Sequence, residues 1–214
     1  MKVNTFYKKN NIMLNQFTNL SCYEEFEIQC DLLGISKLDI LKKHGNKIDN
    51  YYFFISNDGI FNWYDLSGNH TEDPGVLREI KEEYIPITIT KCIIPDSVTS
   101  IGYWAFLNCK SLKEITIPDS VTSIRYCAFY KCRSLTSITI PNSLTIISKS
   151  AFSSCESLTS ITIPDNVINI GYNAFSNCKS LDQVIFRGKI LDEVKQMETY
   201  PFGIKDESII KCEI

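Results

Sequence analysis

With 214 residues, 44% of them hydrophobic, the chain has apolar content sufficient for a packed core in one or two domains. Its formal net charge of −3 is spread without a basic module, residues 1–90 holding 9 Lys/Arg against 13 Asp/Glu and residues 91–214 holding 13 against 12, which excludes a broad electrostatic pull toward nucleic acid or anionic lipid. No apolar run approaches the ~20 residues of a membrane-spanning helix, and MKVNTFYKKNNIMLNQF has neither an uninterrupted apolar stretch nor a small-residue cleavage site, so an intracellular or particle-associated protein is expected rather than a secreted one.

Residues 1–20 form a polar, Asn-rich arm to which no chemistry is assigned. Ser21 and Glu24 make a capping box, and Phe26, Cys30 and Leu33 recur at helical spacing before Gly34, which predicts a helix of about three turns. A second short helix is expected from Ser36, with Leu38 and Leu41 inward and Gly45 past its end. The period then changes to that of a strand: YYFFIS, the turn residues Asn57, Asp58 and Gly59, and IFNWY predict an aromatic β-hairpin. Asp73 and Pro74 predict the start of a third helix, through about Tyr84, with Leu77, Ile80 and Tyr84 on one side. Residues 21–87 are therefore expected to be a small α+β cap of two helices, a hairpin and a helix. Two helices and a hairpin also occur in winged-helix DNA binders, but the acidic balance and the small Lys42, Lys43 patch argue against a nucleic-acid partner.

From Pro95 to Phe186 one 23-residue sentence is written four times without a gap: IPDSVTSIGYWAFLNCKSLKEIT, IPDSVTSIRYCAFYKCRSLTSIT, IPNSLTIISKSAFSSCESLTSIT and IPDNVINIGYNAFSNCKSLDQVI. Each unit ends in L-x-x-I-x-I or a variant of it (Leu112, Ile115, Ile117; Leu135, Ile138, Ile140; Leu158, Ile161, Ile163; Leu181, Val184, Phe186). The alternation predicts a short strand with one buried face. Proline or Arg187-Gly188 follows it, Asp/Asn-Ser/Asn pairs turn the chain, an apolar pair such as Val98 and Ile101 comes next, and Ala-Phe sits in an expected helical or 3₁₀ turn. One unit buries too few side chains to offset the entropy of ordering its 23 residues, so stability is expected only from stacking. Ile89, Cys92 and Ile94 extend the pattern upstream, with a first ladder strand at about 91–94. Residues 187–214 read as a C-terminal cap, with Leu191, Val194 and Met197 on a helical face, Pro201-Phe202 in place of Ala-Phe, and a closing strand at 208–212.

The fixed positions I-P-x-x-V-x-x-I-x-x-x-A-F-x-x-C-x-S-L-x-x-I-x-I resemble the BspA-type leucine-rich repeat, over residues 88–186 strongly and through the C-terminal cap. The resemblance implies an α/β solenoid: a right-handed leucine-rich-repeat superhelix with a parallel β-sheet on its concave face and short helical or 3₁₀ turns, here preceded by the α+β cap. It also implies adhesion or recognition, since the family occurs in bacterial surface proteins, protist proteins and some phage-encoded proteins.

Four of nine cysteines (Cys109, Cys132, Cys155, Cys178) fall on the repeat. A straight row at the ~4.8 Å strand spacing cannot surround one zinc ion, and side chains pointing the same way disfavour disulfides between rungs. Buried structural thiols are expected, with Cys127, outside the row, more reactive. The two histidines, His44 and His70, read as solvated loop residues, and pairs such as Glu82-Glu83 and Asp192-Glu193 as solvated helix faces. No phosphate loop, H-E-x-x-H or CxxC is present. Neither a catalytic residue, a metal nor a cofactor is assigned, and the chain is expected not to be an enzyme. Two surfaces remain. Strand alternation turns Glu114, Thr116, Ser137, Thr139, Ser160, Thr162, Gln183 and Ile185 onto the concave face, and the aromatic alternative is Tyr103, Trp104, Tyr126 and Tyr172, which precede Ala-Phe. The expectation is a recognition module, monomeric, for a protein or glycoconjugate. The alternatives are a structural or assembly component, for example of a phage particle, and more distantly a small enzyme in the N-terminal region.

Overall fold

The structure is a computed structural model that describes residues 23–56 and 59–214. The arm at 1–20, Ser21 of the capping box, Cys22, and Asn57 and Asp58 of the hairpin tip lie outside the described residues, as does the side chain of His44. The chain divides into two compact units, one ending at Pro74 and the other running from Gly75 to Ile214.

In the first unit, α1 spans Tyr23–Leu33 and α2 spans Lys37–His44. Gly34 (φ +62°) lets the chain leave α1 in the left-handed region, and the Ser36 hydroxyl accepts from the N–H of Asp39 to cap α2. Strands β1 (Asn46–Ile48), β2 (Tyr51–Ile55), β3 (Phe61–Asp65) and β4 (His70–Thr71) form an antiparallel sheet in that order. Alternation sorts its side chains: Tyr52 and Tyr64 pack with Cys30, Ile40 and Leu41 under the helices, while Phe53 and Trp63 pair on the opposite face with ring centroids 4.8 Å apart.

The second unit begins with a departure from the expected helix at 73–84. Gly75, at φ +66°, takes the chain out of helical space one residue after Pro74. The segment forms strand β5 (Glu79–Ile80) and a 3₁₀ turn at Glu82–Tyr84. Leu77, Ile80 and Tyr84 are buried, but as the start of a ladder. Each rung after it carries two strand positions rather than one. The first column holds β6 (Lys91–Ile93), and the second holds β7 (Ser100–Ile101), at the apolar pair after the proline turn. The columns continue through β8 (Glu114–Thr116), β9 (Ser123–Ile124), β10 (Ile146–Ile147), β11 (Ser160–Ile163), β12 (Asn169–Ile170) and β13 (Gln183–Arg187). After the short helix α3 (Leu191–Lys195), β14 (Ile210–Glu213) pairs in parallel with β13.

The second column is a continuous parallel sheet, β12-β10-β9-β7-β5. The first column is split: β6 pairs with β8, and β11-β13-β14 forms a separate sheet that Thr139 joins through a bridge to Thr162. Hydrogen bonds also run through the turns. The N–H groups of Trp104, Phe106 and Asn108 donate to the carbonyls of Tyr126, Ala128 and Tyr130 on the next rung, whereas those of Ala105, Leu107 and Cys109 close turns within their own rung. Two left-handed residues per rung accompany this alternation, Trp104, Cys127, Ser150 and Asn173 before Ala, and Asn108, Lys131, Ser154 and Asn177 before Cys. The segment expected to be a helical or 3₁₀ turn is thus a chain of hydrogen-bonded turns, which satisfies its buried backbone across rungs as a sheet does.

The core is a column of identical rings. Phe106, Phe129, Phe152 and Phe175 are almost fully buried, and successive centroids lie 5.0, 5.2 and 5.8 Å apart with the planes within 11° of parallel. The column ends where the Phe175 N–H donates to the carbonyl of Phe202.

Candidate functional site

The repeat cysteines belong to the scaffold. The Sγ of Cys132, Cys155 and Cys178 donates to the carbonyl of Phe106, Phe129 and Phe152, at 3.1, 3.2 and 3.1 Å. Burial pushes the thiols of Cys109 and Cys178 up to about 12, and those of Cys132 and Cys155 well above their ordinary range. A thiol held protonated is a poor nucleophile and a poor metal ligand. Cys127, expected to be more reactive, is buried as well. Cys212, at the cap, is half-buried. Iodoacetamide applied to the native protein at mildly alkaline pH is therefore expected to modify Cys212 while sparing Cys109, Cys132 and Cys155, as read by peptide mapping. Among the described residues no group of three or more His, Cys, Asp or Glu is placed to hold a metal ion. His70 lies in strand β4, not in a turn, with its ring edge-on to Tyr64 at 5.5 Å.

Of the strip expected to be concave, Glu114, Thr116, Ser137, Thr139 and Gln183 are exposed and Ser160, Thr162 and Ile185 half-buried, on strands that pair as two separate sheets. Glu114 and Thr116 sit on the β6-β8 pair, where Glu114 faces Lys91 across an exposed 3.8 Å ion pair; such pairs contribute at most ~1 kcal/mol. Thr139 and Thr162, joined by their bridge, line a recess of about 330 Å³ with Asp119, Asn142 and Arg187. Ser160 opposes Gln183 and Thr162 opposes Ile185, and exposed Ser137 lies beside Thr139 in the sequence of the third rung. The outward groups are mostly small hydroxyls.

The aromatic set divides three and one. Tyr103, Trp104 and Tyr126 form a cluster, with centroids 6.0 Å apart for Tyr103 and Trp104 and 5.9 Å, edge to face, for Trp104 and Tyr126. Tyr172 lies outside this cluster, 60% exposed and two rungs beyond Tyr126. Tyr103 and Trp104 remain 51% and 43% exposed. Trp104 also occupies a left-handed conformation, φ +57°, at a position that the other rungs fill with Cys, Ser and Asn. A bulky side chain there costs about 1–2 kcal/mol, and much of the ring still faces solvent.

Sequence reasoning missed the polar half of this cluster. The Arg125 guanidinium lies over the Tyr103 ring at 5.3 Å and reaches the Glu79 carboxylate at 3.4 Å. Glu79, Lys81, Glu82 and Glu83 join Gly102, Tyr103 and Trp104 around an open notch of about 410 Å³. Glu82 and Glu83, read as a solvated helix face, belong instead to the 3₁₀ turn that forms one wall of it. The available signal was the exchange of Gly102 for Arg125 in otherwise matching rungs.

Two parallel ladders, a phenylalanine column and a 23-residue rung define the class as a leucine-rich-repeat solenoid. The description BspA type leucine rich repeat region matches residues 82–203 in six copies, and the chain belongs to that family. Among solved structures, the leucine-rich repeat protein TpLRR of T. pallidum is 24% identical with a TM-score of 0.55, over 79% of this chain and 81% of that one. A leucine-rich cell surface protein of Faecalibacterium prausnitzii is 30% identical with a TM-score of 0.56, over 71% of this chain and 41% of its own. A leucine-rich repeat protein of Eubacterium ventriosum is 24% identical with a TM-score of 0.56, and 40% of its length is covered. The chain thus spans less than half of the latter two. No curated protein matches significantly. The family fold is that of an interaction or recognition module. Among the described residues no helix is long and apolar enough to cross a membrane.

Proposed function

We propose that this protein is a non-enzymatic recognition module whose repeat surface holds a protein partner, and that the Tyr103, Trp104, Tyr126 cluster is the main contact. The observation that carries this reading is Trp104. Trp104 leaves much of a large aromatic surface exposed in a conformation that a bulky side chain adopts only at a cost, and strain of this kind collects at binding sites. Aromatic residues set in a polar rim are also the commonest source of binding energy at protein interfaces. The threonine strip has hydroxyls but no large anchor, so it is assigned a secondary role.

The test separates folding from binding. Trp104→Asn places at 104 the residue that Asn173 already supplies in the left-handed conformation. Relief of ~1 kcal/mol of strain offsets the lost ring contacts, so urea denaturation is expected to move by less than about 0.5 kcal/mol. Partner capture, followed by crosslinking and mass spectrometry on a native extract, is expected to fall at least about tenfold, the equivalent of ~1.4 kcal/mol. Thr139→Arg with Thr162→Arg is expected to reduce capture less. Unchanged capture by Trp104→Asn would remove the cluster from the binding surface.

A further inference from the structure

The recognition reading leaves open what the cluster would recognise, and the arrangement of charge around it narrows the chemistry. One half of the cluster already holds a cation. Arg125 is stacked on Tyr103 and paired with Glu79, so a guanidinium sits between an aromatic face and a carboxylate. The other half repeats those two components. Trp104 provides the ring and Glu82 the carboxylate, on the lining of the same notch. No cation of the described residues occupies it: Lys81 is directed to Glu83 at 4.0 Å and to the Tyr84 ring at 5.8 Å, and Glu82 has no ion-pair partner among the described residues. Of the three carboxylates that line the notch, Glu79 is paired with Arg125 and Glu83 lies 4.0 Å from Lys81, so the charge left over is that of Glu82.

On the reading of this cluster as the partner contact, we infer that the notch between Trp104 and the Glu82-Glu83 turn accepts an arginine side chain from a basic segment of a partner protein. The guanidinium would stack on the indole as Arg125 does on Tyr103, and its N–H groups would donate to the Glu82 carboxylate. A guanidinium suits the site better than an ammonium, because it is planar, weakly hydrated and can stack and donate at once. The notch is open enough for a side chain still attached to its backbone to enter.

The probe is a short peptide of alternating arginine and glycine, compared with its citrulline counterpart, which keeps the shape and removes the charge, and with a neutral oligosaccharide. Trp104 reports binding, because the only other tryptophan, Trp63, is buried. The arginine peptide is expected to change Trp104 emission saturably. Raising the salt from about 0.1 to about 1 M, which shortens the Debye length from ~10 to ~3 Å, is expected to weaken it severalfold. Glu82→Gln with Glu83→Gln, at exposed positions where folding is unaffected, is expected to weaken it at least about tenfold, and the citrulline peptide is expected not to bind. Equal binding of citrulline or oligosaccharide, or indifference to the Glu82→Gln, Glu83→Gln pair, overturns the assignment. If the peptide fails while partner capture still depends on Trp104, the arginine assignment falls and the recognition surface stands. Capture that ignores Trp104 removes both.

Discussion

Phe129→Ala is expected to destabilise the repeat unit by about 3–5 kcal/mol, the range for truncating a fully buried aromatic. Phe129 and Phe152 each have a stacked ring on both sides, and Phe129 has the closer pair, at 5.0 and 5.2 Å, and is fully buried. Its loss opens a void in the column and interrupts stacking between rungs that cannot fold singly. Because stability in a repeat array is a sum of weak units and strong interfaces, a broken central interface affects both flanks. Urea denaturation followed by far-UV circular dichroism measures the effect. Phe129→Leu, which keeps most of the volume, is expected to lose about 1.5 kcal/mol or less, and Ile168→Ala, at an exposed position, less than about 0.5 kcal/mol. A loss under ~1 kcal/mol for Phe129→Ala would mean that the turns and ladders, not the ring column, hold the array together.

Alkaline pH is expected to have an effect of similar size. The ordinary value of 9.0 for a cysteine is raised by burial to about 12 at Cys109 and Cys178, and well above the ordinary value at Cys132 and Cys155. Below pH 9 the thiols are protonated in both folded and unfolded chains, and stability is unaffected. Above it the unfolded chain releases protons that the folded chain retains, so stability falls as pH rises from about 9 toward about 12. Each thiol contributes a slope of up to about 1.4 kcal/mol per pH unit, and these four act together with Cys30 and Cys92, which burial also pushes up. Denaturant midpoints under reducing conditions at pH 8, 9 and 10 measure the slope, and Cys132→Ala is expected to lower it by about one proton whatever it does to stability at neutral pH. A midpoint that does not move between pH 8 and 10 would show that the thiols ionise inside the fold.

The inward half of each rung was legible in the chain because burial repeats faithfully. Leu112, Ile115, Val121, Ile124, Phe129 and Cys132 recur at a 23-residue period and are all buried. The second parallel sheet was not legible, since strands of two residues such as Ser123–Ile124 are too short to show alternation. The left-handed turn was hidden because Trp104, Cys127, Ser150 and Asn173 share a backbone conformation and no chemistry. The helix expected at 73–84 arose from a coincidence of periods. Leu77, Ile80 and Tyr84 fit helical spacing, yet Leu77 and Ile80 also stand 21 residues before Val98 and Ile101, and cross-rung pairing of Ile80 with Ile101 prevailed.

The sequence by itself determined the solenoid, the buried cysteines of the repeat and the family, because a packed interior accepts few residue types and a repeated interior announces them several times. Only the tertiary structure decided how the aromatic candidates group and what surrounds them. Arg125 meets Glu79, 46 residues away, because two turns of the solenoid set them on rungs with one rung between, within reach of the long arginine side chain. Trp104 meets the Glu82-Glu83 turn by the same stacking. Such juxtapositions depend on the rise and register of the stack, which a single rung does not encode. The position where this chain departs from its own repeat, an exposed indole in a strained turn that shares a notch with the Glu82 carboxylate, is the one where we place its function.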